Sequence, residues 1–222
     1  MSDGLSFFEF LGERLPDLLL ALREHLTLSL IAVLIGSAIS LPLGVLLVYS
    51  RIGWLNSAVF FLANLLQTIP SLALLAILIP LMGIGARPAV LALLLYSIMP
   101  VLRNTYEGFR SVDPHVLEAA RGLGYSAAQR LLRVQLPLAV PYIMSGIRLT
   151  TVYVISWATL ATLVGAGGLG QLIVSGMGVN QPYLIVAGAL GAIALALAAD
   201  LLLGWLESAL GRRFGLRGGA AA

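Results

Sequence analysis

The fold class this sequence predicts is an all-α membrane protein with about five transmembrane helices, the N-terminus outside and the C-terminus inside. Three observations predict it. Of the 222 residues, 59% are hydrophobic and only 10% charged, against about 25% charged in soluble domains. A chain this apolar cannot cover a water-exposed surface, and no polar stretch is long enough to make a separate soluble domain. Five apolar runs approach the roughly 20 residues a spanning helix needs. Finally, the arginines gather in alternate loops, as they do in cytoplasmic segments.

The first span is expected over Leu26 to Tyr49 and the second over Trp54 to Met82, long and carrying Pro70 at its middle. The third, Pro88 to Val101, is short and needs Leu102 to Tyr106 to complete a crossing. The fourth runs from Pro141 to Val164 and the fifth from Tyr183 to Trp205. Pro42, Pro70 and Pro100 are tolerable inside these helices, because neighbours in a bundle can re-satisfy freed backbone groups. Gly36, Ser40 and Gly44 recur every fourth residue on the first helix, and Gly188 and Ala192 do so on the fifth; such faces pack helices closely.

Five crossings put Arg51, the Arg103–Arg133 group and the C-terminal Arg212, Arg213 and Arg217 on one side. That side is the cytoplasm by the positive-inside rule. The net charge of +3 follows from topology and requires no nucleic acid. Residues 1–24 carry Asp3, Glu9, Glu13 and Asp17 with no basic leader and no uninterrupted apolar core, so they do not read as a signal peptide. Phe7 to Leu22 has helical apolar spacing and reads as an amphipathic helix on the outer surface. The tail 218–222 is expected to be disordered.

The most polar loop follows the third span, within residues 107–140. Asp113 is a good N-cap and Pro114 suits a first helical position. A short helix over Pro114 to Leu123 can end at Gly122 or Gly124. Ser126-Ala-Ala-Gln129 is a capping-box pattern for a second helix, which Pro137 should end or bend. A helix as short as the first is marginal alone in water and wants a partner surface. From the residues alone, that surface is either the chain's own bundle or another protein. Ala119 and Ala120 would let a backbone approach.

The spacing Glu118-Ala119-Ala120, Gly124, Val134, Leu136-Pro137 resembles the EAA loop of ABC-importer permeases, departing only at Val134, where the family pattern usually has Ile. The resemblance extends to Gln67-Thr68-Ile69-Pro70-Ser71, Arg103-Asn104-Thr105-Tyr106, Asp113-Pro114 and Gly165-Ala166-Gly167-Gly168-Leu169-Gly170. These look like permeases for osmoprotectants such as glycine betaine, choline and carnitine. Methionine, other amino-acid and sulfonate permeases share the scaffold.

The resemblance implies a single transmembrane permease domain in a bacterial or archaeal inner membrane. Its partners would be a cytoplasmic ABC ATPase dimer, a second permease copy or related permease, an extracytoplasmic binding protein and membrane lipid. It implies ATPase coupling through Glu118, Ala119, Ala120, Gly122, Gly124, Leu136 and Pro137. ATP and Mg would be bound by the ATPase, so this chain would carry no cofactor and no metal and would not be an enzyme.

Gln67, Thr68, Pro70 and Ser71 read as translocation-path residues, since polar groups in a bilayer face a bundle interior or a water-filled path. The plainer reading is interhelical hydrogen bonding, worth about 1–2 kcal/mol in model peptides. Gly165, Gly167, Gly168 and Gly170 read as a flexible outer loop that forms part of an outer gate. Their letter match to a dinucleotide-binding pattern is rejected, because no strand precedes them. Tyr153 and Trp157 could face a quaternary amine, with core packing the plainer reading. Arg148 and Asp200 are expected to pair across the fourth and fifth spans. No catalytic residue is expected: His25 and His115 sit at a membrane edge and in the coupling loop, away from any buried serine. A stand-alone channel or ion-coupled carrier is the alternative of a different class. A carrier would want an ionisable residue near the bilayer midplane.

Overall fold

The computed structural model describes residues 6–214, and among them every element is helical. Helix α1 (Phe7–Glu13) is followed by α2 (Leu15–Tyr49), α3 (Gly53–Thr68), α4 (Ser71–Met82) and α5 (Ala86–Arg110). The loop contributes α6 (Pro114–Gly122) and α7 (Ala127–Arg130). A π-helical turn (Leu131–Gln135) leads into α8 (Leu136–Ala158), which tightens into a 3-10 turn (Thr159–Val164). Helices α9 (Leu169–Gly178) and α10 (Pro182–Arg213) complete the chain.

Four continuous helical segments are long and apolar enough to cross a membrane, and a fifth crossing exists if the pair α3–α4 is one span. That pair is bent by 96°, so the second span, expected as one helix carrying Pro70 at its middle, is corrected to two helices that meet there. Pro70 explains the break: it has no N–H to donate and it biases Ile69 away from the helical region. Ile69 indeed sits at φ −69°, ψ 126°.

The N-terminal expectation is corrected as well. The helix over Phe7 to Leu22 is interrupted at Arg14, and Leu15 to Leu22 belong to the first spanning helix. Pro16 starts that helix at a position where its missing N–H costs nothing. Helix α1 opens with a capping box between Ser6 and Glu9. The Ser6 backbone N–H and then its hydroxyl hold the Glu9 carboxyl below the usual carboxylate range. The tail at 218–222 lies outside the described residues.

The bundle centres on α2, α5 and α8. Leu28, Ala32, Val33, Leu93, Val154 and Ala158 form one buried cluster among these three helices. The small-residue face of α2 is what brings α5 so close. A side-chain carbon on Gly36 would collide with the Ser97 side chain, and one on Gly44 would lie 2.9 Å from the Thr105 side chain. Between them, Ser40 donates to the Ile98 carbonyl at 3.1 Å. The same device joins α5 to α8 through Gly108 against Tyr142 and Gly146 against Asn104. On α10, Gly188 lies against Leu169, Leu172 and Ile173 of α9. Large apolar side chains such as Leu34, Leu46, Phe61, Leu81, Leu201 and Trp205 point outward, as expected when lipid is the solvent.

Arg148 of α8 and Asp200 of α10 pair as the sequence suggests. The guanidinium makes two bonds to the carboxylate, Nε at 2.5 Å and Nη2 at 2.7 Å, a bidentate fork. A third charge joins them: Glu207, about two turns further along α10, approaches Arg148 Nη1 at 3.7 Å. Gly204 lies between the two acids and makes room for the guanidinium. One cation thus holds two anions, and the effects of substitution should be unequal. Arg148→Gln leaves both carboxylates unpaired, whereas Asp200→Asn leaves Glu207 on the arginine. Melting of detergent-solubilised protein should fall more for Arg148→Gln, and adding Asp200→Asn should lower it no further. Additive losses would show that the two side chains act independently.

Candidate coupling and translocation sites

The coupling-loop residues fold as helix, glycine turn, helix. Asp113 caps α6 by accepting from the His115 N–H at 2.8 Å. At its other end, Tyr125 N–H bonds the Ala120 carbonyl at 3.1 Å and Gly124 N–H the Arg121 carbonyl at 2.9 Å. This bond pair defines a Schellman turn, with Gly124 at the left-handed position, φ +82°. Gly122 stays helical with open space around it, so Gly124 alone is the residue the turn requires. Ser126 and Gln129 form the expected capping box.

The two alanines divide. Ala120 is the buried residue of α6, while Ala119 faces out. Glu118 also projects outward, its side chain 76% exposed and its carboxylate 3.9 Å from His115 Nδ1. Val116 and Leu123 add exposed apolar surface, 41% and 78% exposed. A cleft of about 310 Å³ beside them is lined by Tyr49, Leu117, Glu118, Arg121 and Arg130 among others.

Leu136 and Pro137 are placed elsewhere. Leu136 packs against the buried cluster of Phe109, Ala139 and Ile143. Pro137 does not end the second helix. It is the second residue of α8, and the π turn immediately before it is where the helical ladder adjusts to a residue with no N–H to donate. Gln135 on that π turn accepts a hydrogen bond from the Tyr49 hydroxyl. The loop is thereby tied to the end of α2.

At the α3–α4 break, Gln67 Nε2 donates to the Tyr96 carbonyl at 2.6 Å. The Tyr96 hydroxyl donates to the Ile69 carbonyl, also at 2.6 Å. A carbonyl freed by the break is thus satisfied by α5, as a low-dielectric setting demands. Thr68 bonds back to the Leu65 carbonyl, and Thr68 and Pro70 lie on the exposed surface of the single chain. Trp157 packs on Tyr96 with ring centres 4.8 Å apart, while Tyr153 is 44% exposed. Packing therefore accounts for the tryptophan and leaves the tyrosine on the surface.

The glycine segment is not a flexible loop throughout. Gly165, Gly167 and Gly168 take positive φ values of +74°, +79° and +86°, and a helix, α9, begins at Leu169. Gly170 is inside that helix, pressed against the Thr159 backbone. The turn is anchored by Glu24, which the sequence reading passed over, and by His25, which it placed at a membrane edge with no role. Glu24 accepts from the Gly168 N–H at 2.9 Å, and His25, wholly buried, accepts from the Leu169 N–H at 3.3 Å. The available signal was a Glu-His pair at the head of an apolar run, where neither side chain can go unpartnered. Tyr96 was legible on the same ground, since a mid-span hydroxyl needs an acceptor.

A long-helix bundle, a broken span and a capped helical hairpin projecting from its arginine-rich end define the membrane subunit of a transporter. The chain belongs to the family described as binding-protein-dependent transport system inner membrane component, whose model matches residues 40–214. It is a multi-pass membrane permease of that family.

Its relatives include the choline transport system permease protein OpuBB of Bacillus subtilis (strain 168), 45% identical over 202 residues, covering 91% of this chain and 92% of that one. The glycine betaine/carnitine/choline transport system permease protein OpuCB of the same organism is 44% identical over 207 residues, 93% of each. A carnitine transport permease protein OpuCB of Listeria monocytogenes is 44% identical over 198 residues, covering 89% of this chain and 90% of that one.

Among solved structures, an inward-facing form of the MetNI methionine ABC transporter matches with a TM-score of 0.79 at 23% identity, over 87% of this chain and 95% of that one. An amino acid ABC transporter solved with histidines matches with a TM-score of 0.74 at 23% identity, over 95% and 99%. Both share the fold.

Proposed function

We propose that this chain is the permease subunit of an ATP-driven importer for quaternary-amine osmoprotectants of the choline, carnitine and glycine betaine type. The observation that carries the transport mechanism is the α6 hairpin. It is capped at both ends, exposes Val116, Glu118, Ala119 and Leu123, and is tied to the bundle by the hydrogen bond from Tyr49 to Gln135. Such an element suits an ATPase cleft, and rigid-body motion of the ATPases would then be passed to the bundle as alternating access. Relatives of nearly equal length that are named for these amines support the substrate class.

In this reading the arginine-rich end is cytoplasmic, the glycine turn is extracytoplasmic, and a binding protein delivers substrate to that outer end. ATP and Mg sit on the ATPase chain. Gln67, Thr68 and Ser71, beside the break at Pro70, would line a path completed by a second permease chain.

The test is uptake into proteoliposomes containing the permease with its ATPase and binding protein. Labelled choline, carnitine and glycine betaine should accumulate only with ATP inside the ATPase-facing compartment, and methionine should not. Uptake of methionine alone would overturn the substrate class. Uptake that ignores ATP and the ATPase would bring the channel or carrier forward.

A further inference from the structure

We propose that Glu24 and His25 are positioning residues for the outer gate: together they clamp the turn Gly165–Gly168, and with it α9, onto the head of α2. The word gate rests on the importer reading above; the clamp itself rests on geometry.

The turn comes so close to α2 because it has no side chains. A carbon added to Gly167 would lie 2.9 Å from the Glu24 carboxyl carbon, and one added to Gly168 would lie 3.1 Å from His25 Nδ1. The two successive N–H groups at the start of α9 are then both taken by α2, Gly168 by the Glu24 carboxylate and Leu169 by His25 Nδ1. A carboxylate at a helix N-terminus also meets the positive end of the helix dipole. The other ring nitrogen, Nε2, lies 2.9 Å from the Ile155 carbonyl of α8. A carbonyl can only accept and an amide N–H can only donate, so the imidazole is neutral with its proton on Nε2. One side chain therefore joins α2, α8 and α9, and both its nitrogens are used. Just before the turn, the Val164 carbonyl accepts from the Gly85 N–H at 2.7 Å.

The two clamp residues differ in how they can let go. His25 is wholly buried, and its bonds are available only while the helices stay packed. Glu24 is part-exposed and borders a groove of about 380 Å³ with Arg14, Asp17, Gln171 and Ser175. Water in that groove can take over its carboxylate when the turn lifts. So His25 is the fixed pin and Glu24 the releasable one. Alternating access that separates α2, α8 and α9 at this end would have to open this contact, because it is where the three helices meet.

The experiment pairs amide hydrogen exchange of the permease in nanodiscs with ATP-coupled uptake in the proteoliposomes above. Glu24→Ala should raise exchange at residues 165–170 by about tenfold or more, the scale of a lost charge-assisted bond. It should also raise ATP hydrolysis without loaded binding protein and lower substrate moved per ATP. Glu24→Gln keeps an acceptor oxygen and should restore most of both. His25→Asn places an oxygen near the Nδ1 position and should retain turn protection, whereas His25→Gln, which serves the Ile155 side, should lose it. Unchanged exchange in Glu24→Ala and His25→Gln would overturn the clamp. Raised exchange with an unaltered ratio of transport to hydrolysis would overturn its gating role. A wild-type chain with a protected turn but no ATP-driven uptake would remove the importer reading while leaving the clamp standing.

Discussion

Gly124→Pro should strip the partner ATPase from the purified permease while leaving the melting of the bundle unchanged. Gly124 sits at φ +82°, and proline is fixed near −65°. The substitution also deletes the N–H that bonds the Arg121 carbonyl and pushes Leu123 out of the conformation that closes α6. A proline set against its backbone costs roughly 3 kcal/mol or more, enough to unmake a turn that holds a helix of nine residues. The damage should stay local, because Ala120 is the buried residue of α6. Glu118→Arg serves as the companion: it leaves the turn intact and reverses one exposed charge. Co-purification of tagged permease with the ATPase reads both. Loss of the ATPase in both variants, with melting preserved, places docking on this hairpin. Retention in both would move docking elsewhere.

Gly170→Ala should have the opposite signature, with stability lost and the coupling hairpin untouched. An added carbon at Gly170 would overlap the Thr159 carbonyl and lie 2.8 Å from its carbon and 2.9 Å from its Cα. Those are backbone atoms of the 3-10 turn, which cannot rotate aside as a side chain would. Overpacking typically costs about 1–3 kcal/mol, and the rigid neighbour puts this site at the upper end of that range. Detergent melting and yield should both fall sharply. By contrast, Gly178→Ala, a glycine of α9 with nothing within 4 Å of an added carbon, should be tolerated. Equal behaviour of the two variants would mean that α9 does not press on the turn as described.

How much of this was legible in the sequence depends on what each residue's partner is. The close-packing face Gly36–Ser40–Gly44 and the Arg148–Asp200 pair could be read directly, because small residues and buried charges have few alternatives in a bilayer. The Asp113 and Ser126 caps were legible for a similar reason, since their partners are local. The break at Pro70 was not readable as a right angle. Proline in a span is compatible with a gentle kink, and what decides is whether a neighbour can receive the freed carbonyl, here the Tyr96 hydroxyl from α5. Helix α9 was hidden by its glycines, which suggest a loop until α10 supplies Gly188 and Gly191 for Leu169 to pack on. Glu24 and His25 were missed because their partners are backbone groups nearly 150 positions away, and a backbone N–H leaves no letter in a sequence.

The π turn has a mechanical consequence. Because it splices α7 to α8 without a break, residues Ala127–Val164 form one helical segment of 38 residues, about 57 Å long if straight at 1.5 Å per residue. That is nearly twice the roughly 30 Å hydrocarbon thickness. The segment begins one residue after the coupling turn's Ser126 and ends where the glycine turn starts. A displacement applied at the hairpin end therefore travels to the far end along a single covalent shaft. It does not have to pass from side chain to side chain, and the extra residue per turn at Leu131–Gln135 is the place where that shaft can flex under load.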